Sequence, residues 1–99
     1  MNLRFTPQAR RHLEAIAEYL GARSPAAARS VGQRIRETIE LLMNFPMIGH
    51  QGFLEGTREM VVPGLPYVIV HRIDPAESDT LVILGIYHGA QRRPGQEKK

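Results

Sequence analysis

The second half of the chain contains three runs rich in Val and Ile that are joined by very short links. The runs are TREMVV (57–62), YVIVHRI (67–73) and TLVILGIYH (80–88), and PGLP and DPAESD separate them. Both links are typical turn sequences. Links this short join antiparallel neighbours, because a parallel crossover needs a dozen or more residues. The last run is apolar on both faces, so we place it centrally in the sheet. This half therefore predicts an antiparallel meander.

Two helices are predicted ahead of the meander, each opened by the same start signal. Thr6-Pro7 and Ser24-Pro25 both place a hydroxyl side chain that can cap a helix before a proline suited to the first turn. Apolar residues then recur at helical spacing. The first helix carries Leu13, Ile16, Ala17 and Leu20, and the second carries Ala28, Val31, Ile35, Ile39 and Leu42.

The remaining segments complete an α+β fold. Gly21 is expected to end the first helix, and a turn of about four residues before the second predicts an antiparallel two-helix hairpin. The second helix is expected to reach about Phe45, because Pro46 cannot continue it. Residues 46–56 contain three glycines and no sustained period, which indicates a loop. NLRF (2–5) is a short strand expected in the same sheet. The prediction is β-α-α-β-β-β, with the hairpin packed on one face of a small antiparallel sheet.

Charge is distributed unevenly along the 99 residues, which we expect to form one domain. Residues 1–88 carry nine arginines and nine acidic residues, whereas residues 89–99 carry four basic residues and one acid. The net charge of +3 therefore arises in the last eleven residues. We expect a basic flexible tail from about residue 92. Such a tail can contact phosphates or an acidic protein surface, or it can simply be solvated.

Several classes of site are not expected. The chain has no cysteine, so disulfides and thiolate metal sites are excluded. The histidines are too scattered for a metal site, and no spacing fits a phosphate loop or a dinucleotide motif; no cofactor is predicted. The apolar runs are too short to span a bilayer. MNLRFTPQ lacks the apolar core of a signal peptide, so we expect a cytoplasmic protein. The histidines are His12, His50, His71 and His88.

Four residues near strand ends could nominally carry RNA cleavage without a metal. This chemistry requires a base, an acid and cations that stabilise the charged phosphate. The candidates are His71, Arg72, Tyr87 and His88, with Arg58 as a further cation. Successive side chains of a strand point to opposite faces, so neither adjacent pair can share a cleft without a bulge. The alternative is that His71 and Arg72 are solvent-facing residues of a half-buried sheet.

A protein partner is a second possibility. The flanks of the helices are rich in Ala and Gly, which suits close packing between the helices or against a partner. The end of the second helix and the loop after it carry more apolar bulk than a hairpin needs. A groove for an incoming amphipathic segment would account for this excess. The residues are Leu41, Met43, Phe45, Met47, Ile48, Phe53 and Leu54.

Five short motifs, taken in order, resemble the RelE/ParE toxin superfamily of type II toxin–antitoxin modules. They are F-x-P-x-A-x-x-x-L, F-P-x-x-G, G-x-R-E-M, P-Y-V-I-V-H-R-I and I-Y-H-G-A-Q, and together they span roughly residues 3–94. The resemblance implies a helical hairpin on an antiparallel sheet, as the residue patterns do. It also implies one of two activities. RelE-like members are ribosome-dependent mRNA endonucleases, and ParE-like members inhibit DNA gyrase.

Departures from the nuclease pattern favour the ParE-like branch. The nuclease branch places basic residues on the first meander strand, after the Tyr that opens the next strand, and just past the last strand. Here the first meander strand offers Arg58 but then Met60 and Val62, and the other positions hold Val68, Gly89 and Ala90. Losing one such cation costs about 10²-fold in rate, so the loss of several should abolish cleavage. The neutral balance of residues 1–88 also argues against direct nucleic-acid binding.

The resemblance therefore predicts a non-enzymatic gyrase inhibitor that is neutralised by a ParD-like antitoxin. It implies that a disordered antitoxin segment folds across the helices and sheet, with acidic residues pairing with toxin arginines. The residues expected to bind antitoxin or target are Arg58, Arg72, Tyr87, His88, Arg92 and Arg93. The alternative is a RelE-like mRNA endoribonuclease using His71, Arg72, Tyr87 and His88.

Overall fold

The predicted α+β architecture is confirmed by the computed structural model, which describes residues 1–96. An N-terminal strand precedes a two-helix hairpin, and the hairpin precedes the strands of the meander. Among the described residues, no helix is both long and apolar enough to cross a membrane. The elements are β1 (Asn2–Phe5), α1 (Pro7–Arg23), α2 (Pro25–Asn44), β2 (His50–Gln51), β3 (Arg58–Val61), β4 (Tyr67–Ile73) and β5 (Thr80–His88).

Both helices begin at the predicted capping residues. The Thr6 hydroxyl oxygen accepts from the Ala9 amide at 3.1 Å, and the Ser24 hydroxyl oxygen accepts from the Ala27 amide at 3.1 Å. The predicted end of α1 at Gly21 is wrong, because the helix continues to Arg23. A glycine inside a helix costs only about 1 kcal/mol, and neighbouring turns tolerate it. Ser24 alone separates the helices, so the expected four-residue turn is absent.

The sheet has five strands in the order β1-β5-β4-β3-β2. β5 is an interior strand, as predicted, but its pairing with β1 is parallel, so the sheet is not wholly antiparallel. Residues 46–56 are not entirely a loop either, since β2 pairs with β3 as a two-residue edge strand. Gly49 permits this approach, because a Cβ there would overlap the Glu59 carbonyl.

The main core lies between the helices and one face of the sheet. α2 contributes Ile35, Ile39 and Leu42, and the sheet contributes Ile69, Leu81, Ile83 and Ile86. We call this side of the sheet the helix face and the opposite side the outer face. Because strand residues alternate, the neighbours of these core residues point to the outer face.

A β-bulge in β5 decides which residues reach each face near its end. Val70 pairs with Gly85 and His71 pairs with Ile83, so Leu84 has no partner in the ladder. The extra residue allows Ile83 and Ile86, three positions apart, to reach the helix face together. After the bulge, His88 shares the helix face with Ile86, whereas Tyr87 belongs to the outer face.

Candidate functional site

The four residues of the nuclease hypothesis are not brought together. His71 pairs in register with Ile83, and His88 pairs with Tyr67, so both histidines belong to the helix face. Arg72 and Tyr87 belong to the outer face. The sheet therefore divides the four residues into two pairs on opposite sides. His71 and His88 share the helix face but are separated along the strands. His71 pairs with Ile83, which precedes the bulge in β5, whereas His88 follows the bulge.

His71 is fully buried rather than solvent-facing, so that part of the sequence interpretation is wrong. It is 0% exposed, and within the described part of the chain neither ring nitrogen has a hydrogen-bond partner. Burial, and secondarily the charge of Arg58, its partner in β3, lowers the pKa of His71 to about 4. A neutral imidazole that cannot reach solvent is not placed to act on a substrate.

Tyr87 is also removed from solvent. Its side chain is 7% exposed, and its ring lies over Gly85, where a Cβ would come within 2.5 Å of Cε1. The Gln8 amide nitrogen donates to the Tyr87 hydroxyl at 3.3 Å, and the His12 ring packs edge-on at 4.8 Å. Burial raises the pKa of Tyr87. These contacts fix the tyrosine as part of the junction between α1 and β5.

Arg58 forms hydrogen bonds with the loop between α2 and β3. Its guanidinium donates to the Met47 carbonyl at 2.9 Å and also to the Gly49 carbonyl. These bonds hold the segment that leads into β2. The predicted partner-binding arginine is therefore engaged inside the protein, although its side chain remains partly exposed.

Arg93 is likewise engaged, by a residue that sequence reasoning missed. Its Nε donates to a carboxylate oxygen of Glu59 at 2.9 Å, and its guanidinium lies 5.4 Å from the Phe53 ring centre. Glu59 is only 1% exposed, on the outer face of β3. This ion pair holds the beginning of the predicted tail against the sheet. Arg92 is exposed, and residues 97–99 lie outside the described residues.

A cleft of about 680 Å³ opens where the loop before β3 meets β3 and β4. We call it the arginine cleft, since Arg58 and Arg72 line it. Six of the seven apolar side chains predicted to form a groove are exposed, and Met47, Phe53 and Leu54 among them line this cleft. The seventh, Met43, packs against the core instead. The cleft is lined by Pro46, Met47, Gln51, Gly52, Phe53, Leu54, Glu55, Gly56, Thr57, Arg58, Arg72 and Ile73.

A second cleft, of about 510 Å³, lies between α1 and the ends of β4 and β5. We call it the histidine cleft. Here β1 has ended, and α1 takes its place beside β5: the Thr6 hydroxyl donates to the Leu84 carbonyl, and the Ile86 amide donates to Nδ1 of His12, both at 3.1 Å. The cleft is lined by His12, Ala15, Ile16, Tyr19, Tyr67, Ile86, His88 and Gln91.

Comparison with known proteins identifies the family. The sequence profile of the ParE toxin of the type II toxin–antitoxin system, parDE, matches residues 3–93. The chain belongs to the ParE toxin family. The Sinorhizobium fredii protein named "Putative toxin Y4kP" is 35% identical over 92 residues, which cover 93% of this chain and 92% of that protein. The superfamily expected from the motifs is therefore confirmed.

Solved structures of toxin–antitoxin systems share the fold of this ParE-family toxin. The chromosomal ParDE system from P. aeruginosa superposes with a TM-score of 0.76 at 23% identity, covering 89% of this chain and 95% of that one. The RelBE2 toxin–antitoxin complex from Mycobacterium tuberculosis gives a TM-score of 0.60 at 28% identity, covering 88% and 95%. The fold is thus common to both branches of the superfamily.

Metal chemistry finds no support in the side chains of this toxin. Across residues 1–96, no three His, Asp or Glu side chains are grouped so that they could hold a metal ion. Arg58 and Arg72 line the arginine cleft, and His12 and His88 line the histidine cleft at the opposite end of β4.

Proposed function

We propose that this ParE-family toxin is non-enzymatic, inhibits DNA gyrase in the cytoplasm, and is neutralised by a ParD-like antitoxin. One observation carries the proposal: His71 is buried, and Arg72 lies on the opposite face from it. RNA cleavage without a metal needs an acid, a base and cations around one phosphate. Within residues 1–96, the side chains that could fill those roles do not converge, which favours inhibition by binding.

The arginine cleft is the proposed antitoxin site. Its walls combine large exposed apolar side chains with Arg72, which is half-buried. A guanidinium at the wall of an apolar cleft can form a charge-assisted hydrogen bond with an incoming carboxylate. An antitoxin segment with apolar residues and one carboxylate aligned with Arg72 fits both features. Arg58 is the weaker candidate, because loop carbonyls already accept its bonds.

The target is tested by two assays run side by side. Purified toxin is expected to inhibit supercoiling by DNA gyrase, and the antitoxin from the neighbouring reading frame is expected to relieve the inhibition. Primer extension on cellular mRNA during toxin expression is expected to show no new cleavage sites. Codon-specific cleavage without any effect on gyrase would instead establish the RelE-like endoribonuclease.

The antitoxin site is tested by reversing one charge. Arg72→Glu should weaken antitoxin binding by at least about 100-fold, since a charge-assisted bond is lost and a repulsion is gained. Arg29→Glu is the matched control: the same charge change lies on α2, about 24 Å along the helix from the cleft. Equal binding by the two variants, measured by calorimetry, would place the antitoxin elsewhere without affecting the gyrase assay.

A further inference from the structure

The histidine cleft presents two imidazoles whose tautomers are fixed by the backbone. The Ile86 amide donates to Nδ1 of His12 at 3.1 Å, and the Ala90 amide donates to Nδ1 of His88 at 3.2 Å. A ring nitrogen that accepts a hydrogen bond carries no hydrogen, so each neutral ring carries its hydrogen on Nε2. Burial, and secondarily the charge of Arg11, lowers the pKa of His12, which keeps that ring neutral at pH 7. Each histidine thus retains one donor.

Gln91 is oriented in the same way. Its Oε1 accepts from the His88 amide at 2.7 Å, which leaves its NH₂ group as a donor. No carboxylate is among the residues that line this cleft, and the two tyrosine hydroxyls can donate as well. The polar groups of the cleft are therefore arranged to donate hydrogen bonds. A complementary ligand must supply several acceptors.

The rest of the lining indicates the body of that ligand. The rings of Tyr19, Tyr67, His12 and His88 surround an aliphatic floor of Ala15, Ile16 and Ile86. Tyr67 and His88 meet edge to face at 6.0 Å, an arrangement that holds both rings in place. The volume of about 510 Å³ lies within the range of small-molecule sites. Aromatic walls of this kind suit a flat ring system, because any planar ring can stack on an aromatic side chain whatever its substituents.

Two arginines add positive charge beside the cleft. The Arg23 guanidinium lies 3.9 Å from the centre of the Tyr19 ring, and Arg11 is close enough to His12 to affect its pKa. A neutral ring would gain little from these charges, whereas a phosphate would gain from both the charges and the donors. The combination favours a ligand that joins a flat ring to an oxyanion.

We propose that the histidine cleft binds a nucleoside monophosphate, with the base against Tyr67 and the phosphate accepting hydrogen bonds from His12, His88 and Gln91. The site shares no lining residue with the arginine cleft, where the antitoxin is proposed to bind. It provides a way for a small metabolite to occupy the junction of α1 and β5, where the helix replaces β1 beside the sheet.

The first experiment titrates the full chain with defined probes. AMP and UMP are expected to bind saturably, with shifts of the ring-nitrogen NMR signals of His12 and His88. Ribose 5-phosphate has the phosphate without the base and should bind at least about tenfold more weakly, as should inorganic phosphate. N-acetylglutamate tests the alternative that the donors serve a protein carboxylate. Its tighter binding would overturn the proposal, and so would the absence of saturation by either nucleotide at about 10 mM.

The second experiment replaces the donating NH₂ group of Gln91 with an acceptor and keeps the hydrogen bond that its side chain accepts from the His88 amide. Gln91→Glu keeps an oxygen that can accept from the His88 amide, but it turns the donating arm into a carboxylate that repels phosphate. Nucleotide binding should weaken by more than about tenfold, and more strongly at low salt. Gln96→Glu is the matched control, because Gln96 accepts from the Arg93 amide at 3.0 Å in the same way but lies outside the cleft.

A third variant tests the imidazole itself. His88 is exposed, so His88→Phe keeps a ring there with little risk to folding. Loss of its Nε2 donor should weaken AMP binding about tenfold. Unchanged AMP affinity in both His88→Phe and Gln91→Glu would overturn the proposed site. Gyrase inhibition and antitoxin binding are measured on the Gln91→Glu sample, because Gln91 is not among the residues expected to bind antitoxin or target. Both should remain as in the unmodified toxin, so failure of this site is distinguishable from failure of the proposed function.

Discussion

The two most deeply buried titratable side chains of the described residues lie on opposite faces of the sheet and are accommodated in opposite ways. His71, on the helix face of β4, is fully buried without a hydrogen-bond partner in the described chain. Glu59, on the outer face of the neighbouring strand β3, is 1% exposed and accepts from Arg93 at 2.9 Å. Burying a neutral imidazole without hydrogen bonds costs much less free energy than burying an unpaired carboxylate. The stability of the packing around His71 therefore depends on pH, whereas the burial of Glu59 depends on Arg93, 34 positions later in the chain.

The largest effect is expected from removing the cation on the outer face. Arg93→Ala leaves the Glu59 carboxylate buried, with His50 Nε2 at 3.8 Å as its remaining ionic neighbour. Breaking such a pair should lower the free energy of unfolding by about 3–5 kcal/mol. Urea denaturation measures the loss. Adding Glu59→Gln should restore part of it, because the amide carries no charge; a double variant as unstable as Arg93→Ala would contradict this account.

A smaller effect is expected when His71 is forced to take a proton. The folded-state pKa of about 4 lies below the ordinary 6.5, so the unfolded chain binds this proton first as the pH falls. The contribution of neutral His71 to the free energy of unfolding is fully present above pH 6.5. It should decline by a few kcal/mol as the pH falls towards 4. Urea denaturation between about pH 7 and pH 4.5 follows the decline.

His71→Leu is the control for that measurement. Leucine is similar in size and cannot be protonated, so the slope between about pH 6.5 and pH 4.5 should become shallower. The residual slope would come from other groups, including His12, whose pKa is also lowered. An unchanged slope would show that another group causes the acid sensitivity, and the contrast between the two faces would lose its basis.

The smallest effect is expected from an ion pair at the sheet's edge. Arg4 and Asp74 are 2.6 Å apart, but the Arg4 side chain is 54% exposed. Hydrogen bonding to the Ala76 amide, with a contribution from Arg4, lowers the pKa of Asp74. An ion pair with one exposed member contributes little, and after removal of Arg4 the Asp74 carboxylate still accepts from the Ala76 amide at 2.8 Å. Arg4→Ala should therefore lower the thermal midpoint much less than Arg93→Ala. A comparable loss would mean that exposure does not explain the importance of the outer-face pair.

The sequence predicted the elements of this fold better than their arrangement. Proline placed after Thr6 and Ser24 is a local signal, and both helices begin there. β1's parallel partner was not predictable, because nothing in NLRF states which strand it will meet. β2 was missed for a related reason: two residues are too few to show a period, and they form a strand only because β3 lies beside them.

The candidate sites were harder, because they depend on long-range contacts. Glu59 stands beside Arg58 in a run of ordinary polarity, and its partner Arg93 is 34 positions later. His12 reaches β5 across 74 positions. Burial of His71 could have been suspected from YVIVHRI, where Tyr67, Ile69, His71 and Ile73 alternate along one face. The sequence supplied the arginines of the arginine cleft, but not that Arg58 and Arg93 are engaged within the chain.

The unpaired Leu84 also has a consequence for how β5 can change in length. A deletion within a regular strand inverts every side chain beyond it, whereas deletion of Leu84 would restore strict alternation with Ile86, Tyr87 and His88 on their present faces. The residues before the bulge are tied to the core, and those after it belong to the histidine cleft. The deletion would also change one contact between α1 and β5, since the Thr6 hydroxyl donates to the Leu84 carbonyl. An alignment with a chain that lacks this extra residue needs a gap at position 84, because without it inward residues of β5 are matched with outward ones.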